Sequence, residues 1–269
     1  MRYTLNCSIL LTDLPVLERP AAAKAAGFDA IEFWWPWPVS VPGDAEIAAF
    51  EKAITDAGVQ LTGLNFNAGD FAAGERGLLS WPARSQEFID NIGVAAGIGE
   101  RLGCTAFNAL YGNRVEGSTP AKQDALGREN LILAAQEVAK FGGTILLEAA
   151  SGVEAYPLKK TADVLTIIDS IRADTGIDNI TQLADFYHLA VNGDDVDAVI
   201  AAHAAEFGHI QIADAPGRGE PGTGNLPIDT WLQASRAGGY LGYIGLEYKA
   251  TGTDPFAWLP REKRGMARA

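Results

Sequence analysis

Thr144-Ile145-Leu146-Leu147-Glu148, Gln182-Leu183-Ala184-Asp185, His209-Ile210-Gln211-Ile212-Ala213-Asp214 and Tyr243-Ile244-Gly245-Leu246-Glu247 are built alike. Each is a short apolar, strand-like run that carries or ends on an acid or an amide. Glu148, Asp185, Gln211 and Glu247 follow one another at intervals of 37, 26 and 36 residues. An apolar run is driven into a core, whereas a carboxylate there is costly unless a partner or a metal compensates it. Four such ends gathered at one rim make an oxygen-rich pocket suited to a hard divalent cation.

Outward from these runs the chain alternates strand and helix. Residues 3–10, 29–35, 60–66 and 105–111 read as strands one to four. Residues 144–149, 180–186, 209–213 and 243–248 read as strands five to eight. Helices are expected over 15–26, 44–57, 84–102, 119–141, 161–173, 194–205 and 228–237, with a shorter helical tail from Asp254-Pro255. Gly27, Gly58, Gly103 and the Gly238-Gly239 pair stand where helices stop, and Thr119-Pro120 supplies a cap and a first helical residue. Alternating units imply a parallel sheet, and eight of them close a (β/α)8 TIM barrel. An open doubly wound sheet is the rival, but no Gly-x-Gly-x-x-Gly turn follows strand one. Without a linker or shift in composition, residues 1–269 are expected to form a single barrel domain. Catalytic groups of such barrels sit at the C-terminal strand ends, where these four residues fall.

The 269 residues are 48% hydrophobic, ample for a full core. No apolar run reaches the length of a membrane span, and Met1 leads straight into a strand pattern without a signal-peptide plan. Cys7 and Cys104 lie in apolar runs and read as buried free thiols. A cytoplasmic protein with no membrane partner is therefore expected. The net charge of −13 and the absence of basic clusters, apart from the short tail at Arg261-Glu262-Lys263-Arg264, disfavour nucleic acid.

The chain resembles the hydroxypyruvate isomerase family, within the xylose-isomerase-like barrels that also include the tagatose 3-epimerase group. The resemblance spans nearly the whole chain. It is sharpest at 68–77 (Ala-Gly-Asp-Phe-Ala-Ala-Gly-Glu-Arg-Gly), Asp185-Phe186-Tyr187-His188, 208–214 with its continuation 218–224, and Gly245-Leu246-Glu247-Tyr248-Lys249. It implies a metal-assisted aldose–ketose type isomerase acting on a small hydroxy-keto acid or sugar, namely hydroxypyruvate and tartronate semialdehyde. By the same resemblance Glu148, Asp185, Gln211 and Glu247 are the metal ligands, and Glu148 and Glu247 the acid/base pair. Glu154, His188 and Arg218 are implied as substrate contacts, and Arg76 and Asn65 are grouped with them. The chain departs from the family pattern at Glu148-Ala149-Ala150-Ser151, where Glu-Pro-x-Asn is usual. It departs again at Asn67 (usually proline), Phe71 (usually tryptophan) and Gly222-Thr223-Gly224-Asn225 (usually Gly-Thr-Gly-Glu). These changes touch the substrate lining and spare the ligand set.

The chemistry agrees with that implication. Shifting a carbonyl to the neighbouring carbon needs a polarised carbonyl, an acid and a base. Three carboxylates and one amide oxygen favour Mg²⁺ or Mn²⁺ over zinc. A cation is needed for an anionic substrate, and Arg218 and Arg76 sit in glycine-rich loops. Plainer roles compete with each of these: Glu148 or Glu247 paired with Lys249 or an arginine, Asp185 as a helix cap, Gln211 in a polar core, His188 and His209 as structural residues, His203 at the surface, and the arginines solvated. The aromatic run Phe33-Trp34-Trp35-Pro36-Trp37-Pro38 is expected to pack over the mouth, screen the site or meet another subunit, which leaves a homo-oligomer open. Glu32 is expected to line the mouth or pair with a cation. A four-carbon oxo acid such as 2-oxotetronate, a free ketose, a metal-dependent nuclease or lyase, and a non-catalytic ligand-binding barrel are the alternatives.

Overall fold

The computed structural model describes residues 1–265. Eight parallel strands close a barrel in chain order. They are β1 (Arg2–Asn6), β2 (Ala30–Phe33), β3 (Gln60–Asn65), β4 (Ala106–Asn108), β5 (Thr144–Glu148), β6 (Ile180–Asp185), β7 (Phe207–Ile212) and β8 (Tyr243–Leu246). The helices around it are α1 (Arg19–Ala25), α2 (Asp44–Ala57), α3 (Ser85–Leu102), α4 (Pro120–Ala139), α5 (Thr161–Thr175), α6 (Phe186–Val191), α7 (Val196–His203) and α8 (Ile228–Ala237). Among the described residues no helix is long and apolar enough to cross a membrane.

The number and order of the strands follow the sequence expectation, although β4 keeps only Ala106–Asn108 of the expected 105–111, and the helices are distributed differently. The crossover from β6 to β7 holds two, α6 and α7, and β8 is followed by turns and a 3-10 turn at Arg261–Lys263. Strand β1 stops at Asn6, short of Leu10. There the Asn6 side chain accepts from the Ser8 N–H (3.0 Å) and its carbonyl from the Leu10 N–H (3.0 Å), which turns the chain. The helix expected from Pro15 opens as a 3-10 turn, Val16–Glu18, and becomes α1 at Arg19. Where the punctuation is strong the boundaries agree: α2 ends against Gly58 and α3 against Gly103, both left-handed.

Alternation along each strand separates two environments. Leu5, Ile31, Phe33, Leu64, Phe107, Ile145, Leu147, Ala184, Ile210, Ile212, Ile244 and Leu246 are buried against the helices. Aromatic pairs mark this outer core, with Phe33 edge-on to Phe50 of α2 at 5.1 Å and Phe66 tilted against Phe88 of α3 at 5.3 Å. The opposite face of the same strands carries Thr4, Asn6, Glu32, Asn65, Asn108, Glu148, Asp185, His209, Gln211 and Glu247 into the barrel. Barrel interiors of this class are usually packed with branched aliphatics. Here the interior is largely polar and hydrogen-bonded, with Leu146 and Leu183 among its lining.

A bulge sets its phase. Ile31 pairs with Leu61 and Glu32 with Gly63, so Thr62 is an extra residue in β3. The Thr62 hydroxyl meets the Ile31 carbonyl (3.0 Å) and the Thr4 hydroxyl (2.6 Å). Bulges re-aim side chains, and this one leaves Glu32 facing Gly63 and Gly245. A Cβ at Gly245 would lie 2.7 Å from Gln211 Cγ, 2.8 Å from Glu32 Oε1 and 2.9 Å from His209 Nε2. Gly245→Ala is expected to cost about 1–3 kcal/mol by overpacking this interior. Gly93→Ala, on the exposed face of α3 with nothing within 4 Å, is expected to gain about 0.5–1 kcal/mol from helix propensity. Urea unfolding of the two variants beside the parent checks both signs.

Candidate active site

The C-terminal ends of β5 to β8 bring the four sequence-selected residues to one side of the barrel. Glu148 closes β5, Asp185 closes β6, Gln211 lies in β7 and Glu247 follows β8. All four are buried. Asp185 and Gln211 are register partners on adjacent strands. Asp185 is also the N-cap of α6, its Oδ1 accepting from the N–H groups of Tyr187 (2.8 Å) and His188 (3.2 Å). Capping and site roles thus coexist in one carboxylate, since the cap uses Oδ1 and turns Oδ2 inward. Asp185 Oδ2 and Gln211 Oε1 are buried oxygens with no hydrogen-bond donor. Such groups are rare in folded proteins, and an ion is one of the standard reasons for them.

The glutamates are held individually. Asn108 Nδ2 donates to Glu148 Oε2 (2.8 Å), and Asn6 Nδ2 donates to Glu247 Oε2 (3.1 Å). Arg218 Nη2 donates to Glu247 Oε1 (2.5 Å) and stands 3.7 Å from Asp185 Oδ2. Burial, and then the charge of Asp185, push the Glu148 carboxyl up to about 8. Burial raises Glu247 as well, against the pull of Arg218. Burial opposes the Arg218 charge, but Glu247, Asp185 and Glu148 hold its pKa above the usual guanidinium value. One guanidinium therefore serves several acids, and the cluster remains short of positive charge.

His188 sits over the same acids. Its Nδ1 faces the Ser151 N–H (3.1 Å) and Oγ (2.7 Å). A backbone N–H can only donate, so Nδ1 is the acceptor and the ring proton belongs on Nε2. Nε2 lies 3.6 Å from Asp185 Oδ2 and 3.8 Å from Glu148 Oε1. Burial lowers the imidazole pKa to about 4, with Arg218 and Arg76 acting in the same direction and Asp185 against it. Glu148, Asp185 and His188 form a buried cluster whose ligand atoms lie within 4.8 Å of one another, close enough to hold a divalent cation.

Above the acids opens a cavity of about 300 Å³. Asn65, Arg76, His188, Arg218, Glu148 and Glu247 all line it. Glu154 does not: it lies on the exposed turn after β5. Arg76 is placed by an aromatic stack. Trp34 lies on Phe71 (5.0 Å, 22° between planes), and the Arg76 guanidinium lies over Phe71 at 4.8 Å. The aromatic run after β2 thus reaches the mouth through Trp34. Arg76 Nη1 donates to the carbonyls of Glu75 (2.6 Å) and Phe71 (3.1 Å), and no acidic partner is found for it among the described residues. Burial and the like charge of Arg218 both lower its pKa. Two guanidinium groups at one cavity, one without a carboxylate, describe a place for an anion.

The arginine loops are fixed from below. Burial works against the Asp214 charge, but N–H groups of Leu226, Gly224, Gly222 and Ala215 outweigh it and lower the pKa. This cradle supports Arg218, whose backbone takes the left-handed conformation (φ 60°) that few side chains adopt. Glu75 anchors the other loop, bonded to the Asp70 N–H (2.6 Å) and to Arg84 (2.6 Å). Asn6, Asn108, Ser151 and Lys249 are site residues that sequence reasoning did not select. The phase of Asn6 with Thr4 in an otherwise apolar strand was a signal for the first. Cys7 and Cys104 are buried and unpaired, and burial pushes the Cys104 thiol up to about 12.

Residues 20–268 match the xylose isomerase-like TIM barrel family. A Streptomyces coelicolor protein named "Putative hydroxypyruvate isomerase" is 52% identical over 98% of this chain and 97% of its own length. The hydroxypyruvate isomerase of Escherichia coli is 32% identical over 93% of each chain. The crystal structure of an AP endonuclease, family 2, from Brucella melitensis superposes with a TM-score of 0.85 at 28% identity, over 96% of this chain and 97% of that one.

Mn²⁺ or Mg²⁺ is expected to raise the thermal midpoint, and a chelator to reverse the rise. At a hundredfold excess of ion over Kd the stabilisation is about 2.7 kcal/mol. Asp185→Asn removes a charge from the cluster and is expected to abolish the shift, measured by differential scanning calorimetry.

Proposed function

We propose a substrate and a mechanism for this chain, which belongs to the hydroxypyruvate isomerase family of xylose isomerase-like TIM barrels. It is a metal-dependent isomerase. Its reaction, in this reading, is the interconversion of hydroxypyruvate and tartronate semialdehyde. One observation carries the reading: two buried glutamates, Glu148 and Glu247, open onto the same small cavity as Arg76, which has no acidic partner among the described residues. That combination suits a short anionic substrate whose protons are moved by carboxylates.

Glu148, Asp185, Gln211 and Glu247 would hold Mg²⁺ or Mn²⁺, with the donor-free oxygens of Asp185 and Gln211 as the fit between this site and a hard cation. When bound, the cation supplies polarisation of the carbonyl and stabilisation of enediolate charge. Glu148 and Glu247 act as the acid/base pair. One takes the proton from the carbon beside the carbonyl and the other returns a proton to its neighbour. Burial supports this assignment because it holds both carboxyls above the ordinary range. Asn108 and Asn6 aim the two carboxyls by occupying one oxygen of each. With its ring proton on Nε2, His188 would donate to a substrate oxygen held beside Glu148 and Asp185. Arg76, with Arg218 behind it, holds the substrate carboxylate. The net charge of −13 weighs against a nucleic-acid backbone as substrate.

Glu148→Gln and Glu247→Gln are each expected to abolish turnover while retaining the parent circular dichroism spectrum. Assay of three- to six-carbon keto acids and free ketoses with Mn²⁺ should rank hydroxypyruvate first, and a higher kcat/KM on another substrate would displace it. Arg76→Ala should raise KM for the acid about tenfold or more, the loss of a charge-assisted hydrogen bond worth about 1.5–3 kcal/mol. A neutral ketose should be nearly unaffected. In D₂O the product should carry deuterium on the carbon that receives the proton. Complete retention of substrate hydrogen over many turnovers would replace proton transfer by a hydride shift.

A further inference from the structure

Glu32 lies inside the barrel among Asn6, His209 and Gln211 and does not line the cavity. It is 3% exposed. Its Oε1 accepts from Gln211 Nε2 (2.7 Å) and Asn6 Nδ2 (3.1 Å), and its Oε2 from His209 Nε2 (2.7 Å). The room for it is built: the β3 bulge at Thr62 and the missing side chains of Gly63 and Gly245 leave the space it fills.

A primary amide is nearly symmetric in shape, and only its hydrogen bonds decide which end points where. Left alone beside Asp185, Gln211 would turn its NH₂ toward the carboxylate. That arrangement would satisfy Asp185 Oδ2 and bury the amide oxygen where no cation could use it. Glu32 competes for the NH₂ from the opposite side. A carboxylate offers only acceptors, so the atom facing it has to be nitrogen and the oxygen has to face the site. The observed pattern is the one this competition produces, with Gln211 Nε2 bonded to Glu32 and Gln211 Oε1 free of donors.

We propose that Glu32 is a positioning residue that orients the Gln211 amide, presenting its oxygen to the divalent cation. This rests on the reading of Gln211 as a ligand. Asn6 ties the same carboxylate to Glu247, so one buried acid aligns members of the ligand set from two sides. Partners of ligating groups commonly matter 10- to 100-fold in metal affinity.

The test titrates Mn²⁺ into metal-stripped protein and reads Kd by calorimetry. Glu32→Gln is expected to weaken binding at least about tenfold. The reversed pair, Glu32→Gln with Gln211→Glu, restores the bond in the opposite sense, because the amide at position 32 now donates to the carboxylate at position 211. It is expected to recover affinity to at least the parent value. Parent-like affinity in Glu32→Gln overturns the proposal. Gln211→Glu alone, whose new carboxylate finds no donor at position 32, is the reference for the pair. A reversed pair that binds no tighter than Gln211→Glu alone overturns the proposal too. Should Glu32→Gln fail to fold, the metal-free parent decides. The Gln211 side-chain NH₂, assigned by NMR through its loss in Gln211→Glu, is expected to be protected from solvent exchange, and free exchange overturns the proposal. A parent that binds no Mn²⁺ is a separate outcome, which removes the ligand reading itself and this inference with it.

Discussion

Acids inside a closed barrel have little water to solvate them, so each oxygen has to find a donor or a cation. The interior of this protein is organised around that demand. Glu32 is met by Gln211, Asn6 and His209; Glu247 by Asn6 and Arg218; Glu148 by Asn108; and Asp185 Oδ1 by the first turn of α6. Two oxygens on neighbouring strands, Asp185 Oδ2 and Gln211 Oε1, are left over. They belong to register partners on β6 and β7, beside the acids at the strand ends. Buried oxygens without a donor also occur elsewhere, on Asn108 and Gln182 among others, but these two lie among the acids, where a cation would satisfy both.

The loops complete the balance with positive charge. Arg218 comes from the segment after β7, held by the N–H cradle around Asp214 and stitched to the end of β8 through the Lys249 N–H and its own carbonyl (2.7 Å). Its guanidinium also lies over the Tyr187 ring at 5.5 Å. Arg76 comes from the loop after β3 and leans on the Trp34–Phe71 stack. One arginine looks inward to the acids, and the other is available to something that enters.

Much of this was legible before any coordinates. Eight apolar runs with helical stretches between them specify a barrel, and acids at the ends of strands five to eight stand out because burial makes them expensive. What escaped was what depends on contacts distant in sequence. Helix α6 is only six residues long and begins on Asp185, which also ends a strand, so the pattern shows one element where there are two. The place of Glu32 depends on a register shift against β3 that periodicity does not reveal. Ser151 appeared only as a departure from a family pattern, yet it fixes the tautomer of His188. Glu154, given a substrate role by resemblance alone, lies on an exposed turn and does not line the cavity.

The two-residue alternation of the strands has a further consequence. Most strands present apolar side chains to the helices and mainly polar ones to the interior, so cohesion and chemistry share a backbone while drawing largely on different side chains. Substitution on the outward series is filtered by packing, and on the inward series by proton and ion chemistry. Lineages built on such a scaffold can change one set while conserving the other. A new substrate then requires rewriting about one dozen interior and loop positions, with the surrounding shell as inherited infrastructure.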